Sequence, residues 1–343
     1  MIARAAVRDL AAAAAATPSF ARLLDLLERL DRTRLSLLPV LTYHRIDEQA
    51  ADGHSAIFSA TPAEFATQVR WLASRRRPIS LAHLLEVRRA AAPLPPRSVM
   101  VTFDDGYRDF AEVAWPTLKE HGVPVTLFVP TAYPGAGQRA FWWDRLDAAF
   151  ATTARRDELE TELGRVSLRS GADRRRSLRE VRGRIAAMPH ALALEQLDHL
   201  VQELGGVAPD SPVLTWPELR ALAHDGVAVA PHSRTHPLLD RIERGAAGKE
   251  IAGSRHDLQR EIGISPPAFA YPGGAHSPDV VALVAEAGFE VAFTTQRGIN
   301  DLRRADWLRL RRINVGSRAN VSLLRAQLLS WSRHLPQTNG ARR

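Results

Sequence analysis

Cysteine is absent from this 343-residue chain, so neither a disulfide framework nor a thiolate-bound metal or redox centre contributes to its fold or chemistry. Long apolar runs are also missing. The alanine run Ala11–Ala16 is short and weakly apolar, and Arg22, Asp25, Glu28 and Arg29 interrupt the stretch that follows. A membrane span needs ~20 consecutive apolar residues, and a secretory signal needs a stronger apolar centre than this. The expectation is a cytoplasmic chain. Its formal charge of +8 comes mostly from arginine and suits attraction to polyanions, with peripheral membrane contact through the basic surface as one form. Zinc-finger spacing, basic-aromatic interleaving and a reading helix are all wanting, so nucleic acid is not expected as a partner. No internal repeat or low-complexity linker marks off autonomous domains, and the sequence leaves the oligomeric state open.

What is present is enough apolar residue, 45%, for a large core. Short apolar runs alternate with amphipathic stretches. Strands are expected at Leu37–Tyr43, Ser98–Phe103, Val125–Val129, Val227–Ala230, Ala268–Tyr271, Val291–Thr294 and Leu308–Val315. Helices lie between most of them, including Pro62–Ala73 capped by Thr61 and Ser277–Ala287 with Pro278 at its first position. Such alternation predicts an α/β fold with a parallel sheet, and six or seven units in series predict a barrel. Residues 1–34 read as an N-terminal helical extension, 35–335 as the main domain and 336–343 as a disordered tail. Within the main domain, about 139–212 breaks the rhythm and reads as a helical insertion, with helices expected at Asp157–Leu168 and Arg174–Ala187. Its clusters Arg155-Arg156 and Arg174-Arg175-Arg176 read as a solvated face.

The suggestive polar residues fall just past expected strands: His44, Asp104-Asp105, His232 with His236, and the turn Tyr271-Pro272-Gly273-Gly274. In parallel barrels this rim is where catalytic groups gather. Adjacent residues at a strand end face opposite ways, so one of Asp104 and Asp105 can bind a metal while its neighbour faces another partner. Taken alone, the pair also fits an Asp-Gly turn, with Asp109 as cap of the following helix. His232 and His236, four residues apart on a helical turn or tight loop, bring two imidazoles to one side. Two histidines and one carboxylate hold a divalent ion and leave open positions for water and substrate. Trp142, Trp143 and Trp216 have flat faces suited to pyranose rings, although such residues more often serve packing.

These residues resemble a known family. Thr102-Phe103-Asp104-Asp105-Gly106 and His232-Ser233-Arg234-Thr235-His236 are similar to the first two motifs of the polysaccharide deacetylases with the NodB homology fold, carbohydrate esterase family 4. Phe269–Gly274 resembles the third motif and Leu310–Val315 the closing strand. The resemblance implies a distorted (β/α)7 barrel and metal-dependent removal of acetyl groups from an amino-sugar glycan. It implies Asp105, His232 and His236 as ligands of a divalent ion, zinc or another such as cobalt, with Asp104 as general base. Backbone N–H groups from Tyr271 to Gly273 would help hold the oxyanion. Two departures stand out. No suitable histidine follows the last strand, but Tyr43-His44 is similar to the segment that supplies the acid in members resembling poly-N-acetylglucosamine deacetylases, so His44 is expected as general acid, with His276 second. Ala270 occupies the place of the arginine that usually orients the base, and Arg312 is the expected substitute. An O-acetyl esterase, another amidohydrolase and an inactive carbohydrate-binding relative are the alternatives.

Overall fold

Seven strands, most of them almost continuously apolar, form one parallel sheet: β1 (Leu37–Tyr43), β2 (Ser98–Phe103), β3 (Val125–Val129), β4 (Ala228–Pro231), β5 (Ala268–Ala270), β6 (Val291–Arg297) and β7 (Leu310–Asn314). Such runs suit strands covered on both faces. The structure, a computed structural model, describes residues 17–31, 36–48, 57–135, 140–205, 212–264 and 266–330. Strand order is β5-β6-β7-β1-β2-β3-β4, and every neighbouring pair is parallel. The sheet curls into the expected distorted (β/α)7 barrel. Among the described residues no backbone ladder joins β4 to β5, so the barrel is nearly closed with one seam there.

Side chains alternate across each strand, which divides the core in two. Leu38, Val40, Met100, Phe128, Ala270, Phe293 and Leu310 pack together inside the barrel. Leu41, Val101, Phe103, Leu127, Val229 and Ile313 face outward against helices. The inward series of β2 and β7 continues to Asp104 and Arg312, so the barrel interior is apolar below and charged at its upper rim.

The helices begin where small capping residues and prolines place them. They are α1 (Pro18–Leu30), α2 (Pro62–Arg75), α3 (Leu81–Ala90), α4 (Trp115–Glu120), α5 (Trp142–Thr152), α6 (Gly171–Ala187), α7 (His190–Leu204), α8 (Trp216–His224), α9 (Arg244–Ile262), α10 (Pro278–Glu286) and α11 (Val321–Gln327). Thr61 accepts the Glu64 N–H at the start of α2, and Ser277 accepts the Val280 N–H at the start of α10. Asp109, in contrast, does not cap its helix. Its carboxylate accepts from Arg45 Nε at 2.7 Å and Ile46 N, tying the loop after β2 to the segment after β1. A π-turn, Phe110–Ala114, leads from there into α4.

Helices α5 to α7 lie between β3 and β4 and share their own apolar cluster, with Leu146, Phe150, Val181, Leu197 and Leu200 at its centre. The helix expected over Asp157–Leu168 is instead an antiparallel hairpin of Glu158–Thr161 and Gly164–Ser167. Gly164, at φ +87°, closes its turn, and Val166 and Leu168 bury alternate positions, a period-two pattern that the charged residues obscure. The arginine clusters are largely engaged. Arg155 pairs with Asp157 and Arg176 with Asp173, while Arg174 turns back to donate to the Phe150, Thr153 and Arg155 carbonyls. Among the described residues no helix is long and apolar enough to cross a membrane. The tail at 336–343 and the run Ala11–Ala16 lie outside the described residues.

Candidate metal centre

Three side chains from two loops converge on the barrel rim: Asp105 after β2, and His232 and His236 after β4. Asp104 continues the strand, its N–H bonded to Tyr43 O at 3.0 Å, whereas Asp105 leaves it with φ +76°. That left-handed turn is uncommon outside glycine. It swings the Asp105 carboxylate toward the histidines instead of outward. The segment His232–His236 is a tight loop, not a helical turn, with positive φ at Ser233 and His236. Ser233 Oγ accepts the His236 N–H at 3.1 Å across it.

The ligand atoms are spaced for one ion. Asp105 Oδ1 lies 3.4 Å from His236 Nε2 and 3.7 Å from His232 Nε2. Donors ~2.1 Å from a tetrahedral cation are themselves about 3.4 Å apart, so the residues fit a divalent ion. Orientation supports the same use. His232 Nδ1 donates to Ala270 O at 2.7 Å, across the β4–β5 seam, which leaves the Nε2 lone pair facing Asp105. Burial pushes the His232 imidazole below its ordinary value, and burial together with the His232 charge pushes His236 well below it. Both rings are therefore neutral near pH 7, the form that ligates metal.

Asp104 sits beside this cluster, 2% exposed, with Oδ2 4.0 Å from His232 Nε2. Arg312, 1% exposed, grips it with two bonds, Nη1 to Oδ1 at 2.8 Å and Nη2 to Oδ2 at 2.6 Å, while its Nε donates to Thr294 O. Burial alone would raise the Asp104 carboxyl. The Arg312 guanidinium, helped by His232 and His44, overcomes that effect and holds it at about 2. His44 thus lies close enough for its charge to act on Asp104, and on His236 too. The other histidine considered, His276, bonds through Nδ1 to Gly274 O and packs against the Tyr271 ring.

The turn after β5 divides its expected roles unequally. Tyr271 is buried with its N–H on Phe293 O and its hydroxyl on Leu308 O, so both donors are spent within the fold. Gly273 adopts φ +58°, and a Cβ there would meet Leu238 at 2.8 Å, so the turn requires glycine.

The tryptophans also separate. Trp216 is buried in the core at the start of α8, and Trp142 packs on the insertion's own cluster. Trp143 alone reaches the site, its ring 5.0 Å from that of His236 and stacked on Phe141. Its Nε1 donates to Tyr107 Oη at 2.7 Å, and Tyr107 Oη donates to Asp144 Oδ2 at 3.1 Å. Burial drives the Asp144 carboxyl up to about 7. Tyr107, Asp144, Glu250 and Asp257 escape sequence reasoning, because each meets the site through partners distant along the chain.

Residues 91–292 match the family described as Polysaccharide deacetylase. Among curated proteins, the poly-beta-1,6-N-acetyl-D-glucosamine N-deacetylase of Escherichia coli (strain K12) is 32% identical over 80 residues, 23% of this chain and 12% of that protein. The enzyme of the same name from Staphylococcus aureus (strain MSSA476) is 32% identical over 79 residues, 23% of this chain and 27% of that protein. The matched stretch is thus a small part of either relative. Two solved structures share the fold: the Streptococcus pyogenes deacetylase PplD in complex with acetate (TM-score 0.57, 18% identity, 85% of this chain and 98% of that one) and the BpsB deacetylase domain from Bordetella bronchiseptica (TM-score 0.54, 20% identity, 83% and 98%).

Proposed function

This chain belongs to the polysaccharide deacetylase family, and we propose that it is an N-deacetylase that hydrolyses the acetamido groups of an amino-sugar polysaccharide or glycan precursor. Family membership and the Asp105, His232 and His236 cluster support a metal-dependent deacetylase acting on an amino-sugar glycan. One observation carries the reading: Asp105, His232 and His236 gather their donor atoms on a single point beside a second carboxylate that Arg312 keeps ionised.

In this reading Asp105, His232 and His236 hold a divalent ion, with zinc the first choice for an N,N,O donor set and cobalt an effective substitute. When bound, the ion acidifies a water molecule and polarises the acetyl carbonyl. Asp104 takes the proton from the attacking water, and the water oxygen forms the new bond to the acyl carbon. Arg312 holds both Asp104 oxygens in place, which orients the base and keeps it ionised before the reaction. A backbone N–H of the Tyr271–Gly273 turn would donate to the developing oxyanion. His44 gives its proton to the departing nitrogen as the C–N bond breaks, leaving acetate and a free amine; its electrostatic influence on Asp104 and His236 favours it over His276.

The two N-deacetylases act, by their names, on poly-β-1,6-N-acetyl-D-glucosamine, so β-1,6-linked N-acetylglucosamine oligomers are the first substrates to test. Acetate release should vanish on chelation, return with zinc or cobalt, and fall about 10²–10⁴-fold in Asp104→Asn. Release indifferent to both treatments overturns the mechanism. Release from O-acetylated glycans alone moves the assignment to an esterase.

A further inference from the structure

The loop that carries both histidines is held from beneath by one helix. Glu250, Gly253 and Asp257 lie on a common face of α9, at spacings of three and seven residues. Glu250 Oε2 accepts two consecutive backbone N–H groups, from Arg234 and Thr235, each at 2.8 Å, and its Oε1 accepts the Thr235 hydroxyl at 2.7 Å. Asp257 is buried and accepts Arg234 Nε at 2.8 Å, Thr131 Oγ1 at 2.7 Å and Arg260 Nη1 at 3.1 Å. Between them Gly253 leaves room for the Arg234 stem, since a Cβ there would stand 2.6 Å from Arg234 Cδ. The other side of the loop is pinned as well, by Thr131 N on Ser233 O and Ala132 N on Arg234 O.

This clamp bears on the geometry of His236. The backbone enters the left-handed region at Ser233 and again at His236, a strained conformation for a residue with a side chain. Without Glu250, the N–H groups of Arg234 and Thr235 would lose their shared acceptor and the loop could relax toward ordinary backbone angles. His232 is fixed independently, its N–H on Val129 O of β3 and its Nδ1 on Ala270 O. His236 is anchored within the loop itself: its N–H goes to Ser233 Oγ, its ring bonds to its own backbone, and that ring packs on Phe141, Trp143 and His232.

We infer that Glu250 is a positioning residue for His236, setting the third ligand of the metal centre through the backbone of the loop. The inference rests on the proposed metal site, and it goes beyond that site by assigning α9 a part in metal affinity. A glutamine at this position keeps the geometry, because its carbonyl oxygen can accept both N–H groups while its amide donates to the Thr235 hydroxyl. An alanine cannot.

The test uses metal-stripped full-length protein titrated with cobalt(II), following the visible d–d absorption, and with zinc(II) in competition with a chromophoric chelator. Glu250→Ala should weaken both metals by about 10-fold or more and alter the cobalt spectrum, while the metal-free far-ultraviolet circular dichroism stays that of wild type. Glu250→Gln should remain within about 3-fold of wild type. An alanine variant with wild-type affinity and spectrum overturns the inference, as does a glutamine variant as weak as alanine. Should Glu250→Ala fail to fold, Thr235→Val, which removes one of the three bonds and keeps the carboxylate, should lose about 3-fold in affinity, and no loss overturns the role. Wild-type protein that binds neither metal sinks the metal centre itself, a result distinct from failure of Glu250 alone.

Discussion

Replacing Arg312 with methionine strands a buried carboxylate. Asp104 is almost wholly enclosed, and its two oxygens rely on Arg312 for both of their strongest bonds. The carboxyl is held at about 2 against an ordinary 3.8, a depression that stabilises the fold above pH 4 and is lost as the pH falls through 2. Breaking a buried pair by removing one partner generally costs about 3–5 kcal/mol. Arg312→Met should therefore lose about 3 kcal/mol or more in urea denaturation of metal-free protein at pH 7. Below pH 4 the deficit should shrink, because the protonated carboxyl no longer needs the guanidinium. Asp104→Asn strands the opposite charge, so the double variant should cost clearly less than the sum of the two singles, with a coupling of about 2 kcal/mol. A loss under 1 kcal/mol at pH 7, or strict additivity, would refute the claim that this pair organises the rim.

Other expectations follow from single residues. Asp144 has a raised carboxyl, so between pH 4 and 7 the unfolded chain releases a proton that the folded chain keeps, and stability falls as pH rises, by at most about 1.4 kcal/mol per unit. Asp144→Asn should flatten that slope in urea titrations at pH 5 and 7.5; parallel curves for variant and wild type would contradict the burial argument. Gly274 adopts φ +71°, and a Cβ would approach Thr295 N to 2.6 Å, so Gly274→Ala should cost more than ~2 kcal/mol and lower the melting temperature measurably. His44→Ala should reduce kcat on an amide substrate about 10²-fold or more while leaving zinc affinity near wild type; a wild-type rate would send the search for the acid elsewhere.

The barrel was legible because most of its strands are short apolar runs bounded by turn residues, and because proline and a hydroxyl residue announce α2 and α10. Ligand candidates were legible for a different reason: Asp104, Asp105, His232 and His236 are polar groups at strand ends, where solvation alone does not require that combination. The hairpin at Glu158–Ser167 was missed because its alternate glutamates and arginines, paired across strands, resemble the i,i+4 charge pattern of a solvated helix. Glu250 and Asp257 had no local signal. They lie 14 and 21 residues beyond His236, on an ordinary amphipathic helix, and only the packing of α9 under the loop gives them a role.

The central claim is that one cation is shared by three named side chains, and anomalous diffraction at the zinc edge from crystals of the zinc-loaded protein tests it most directly. The account predicts a single strong peak about 2.0–2.2 Å from Asp105, His232 Nε2 and His236 Nε2, with Asp104 beside it and still gripped by Arg312. A peak bound elsewhere, or none at saturating zinc, would contradict it.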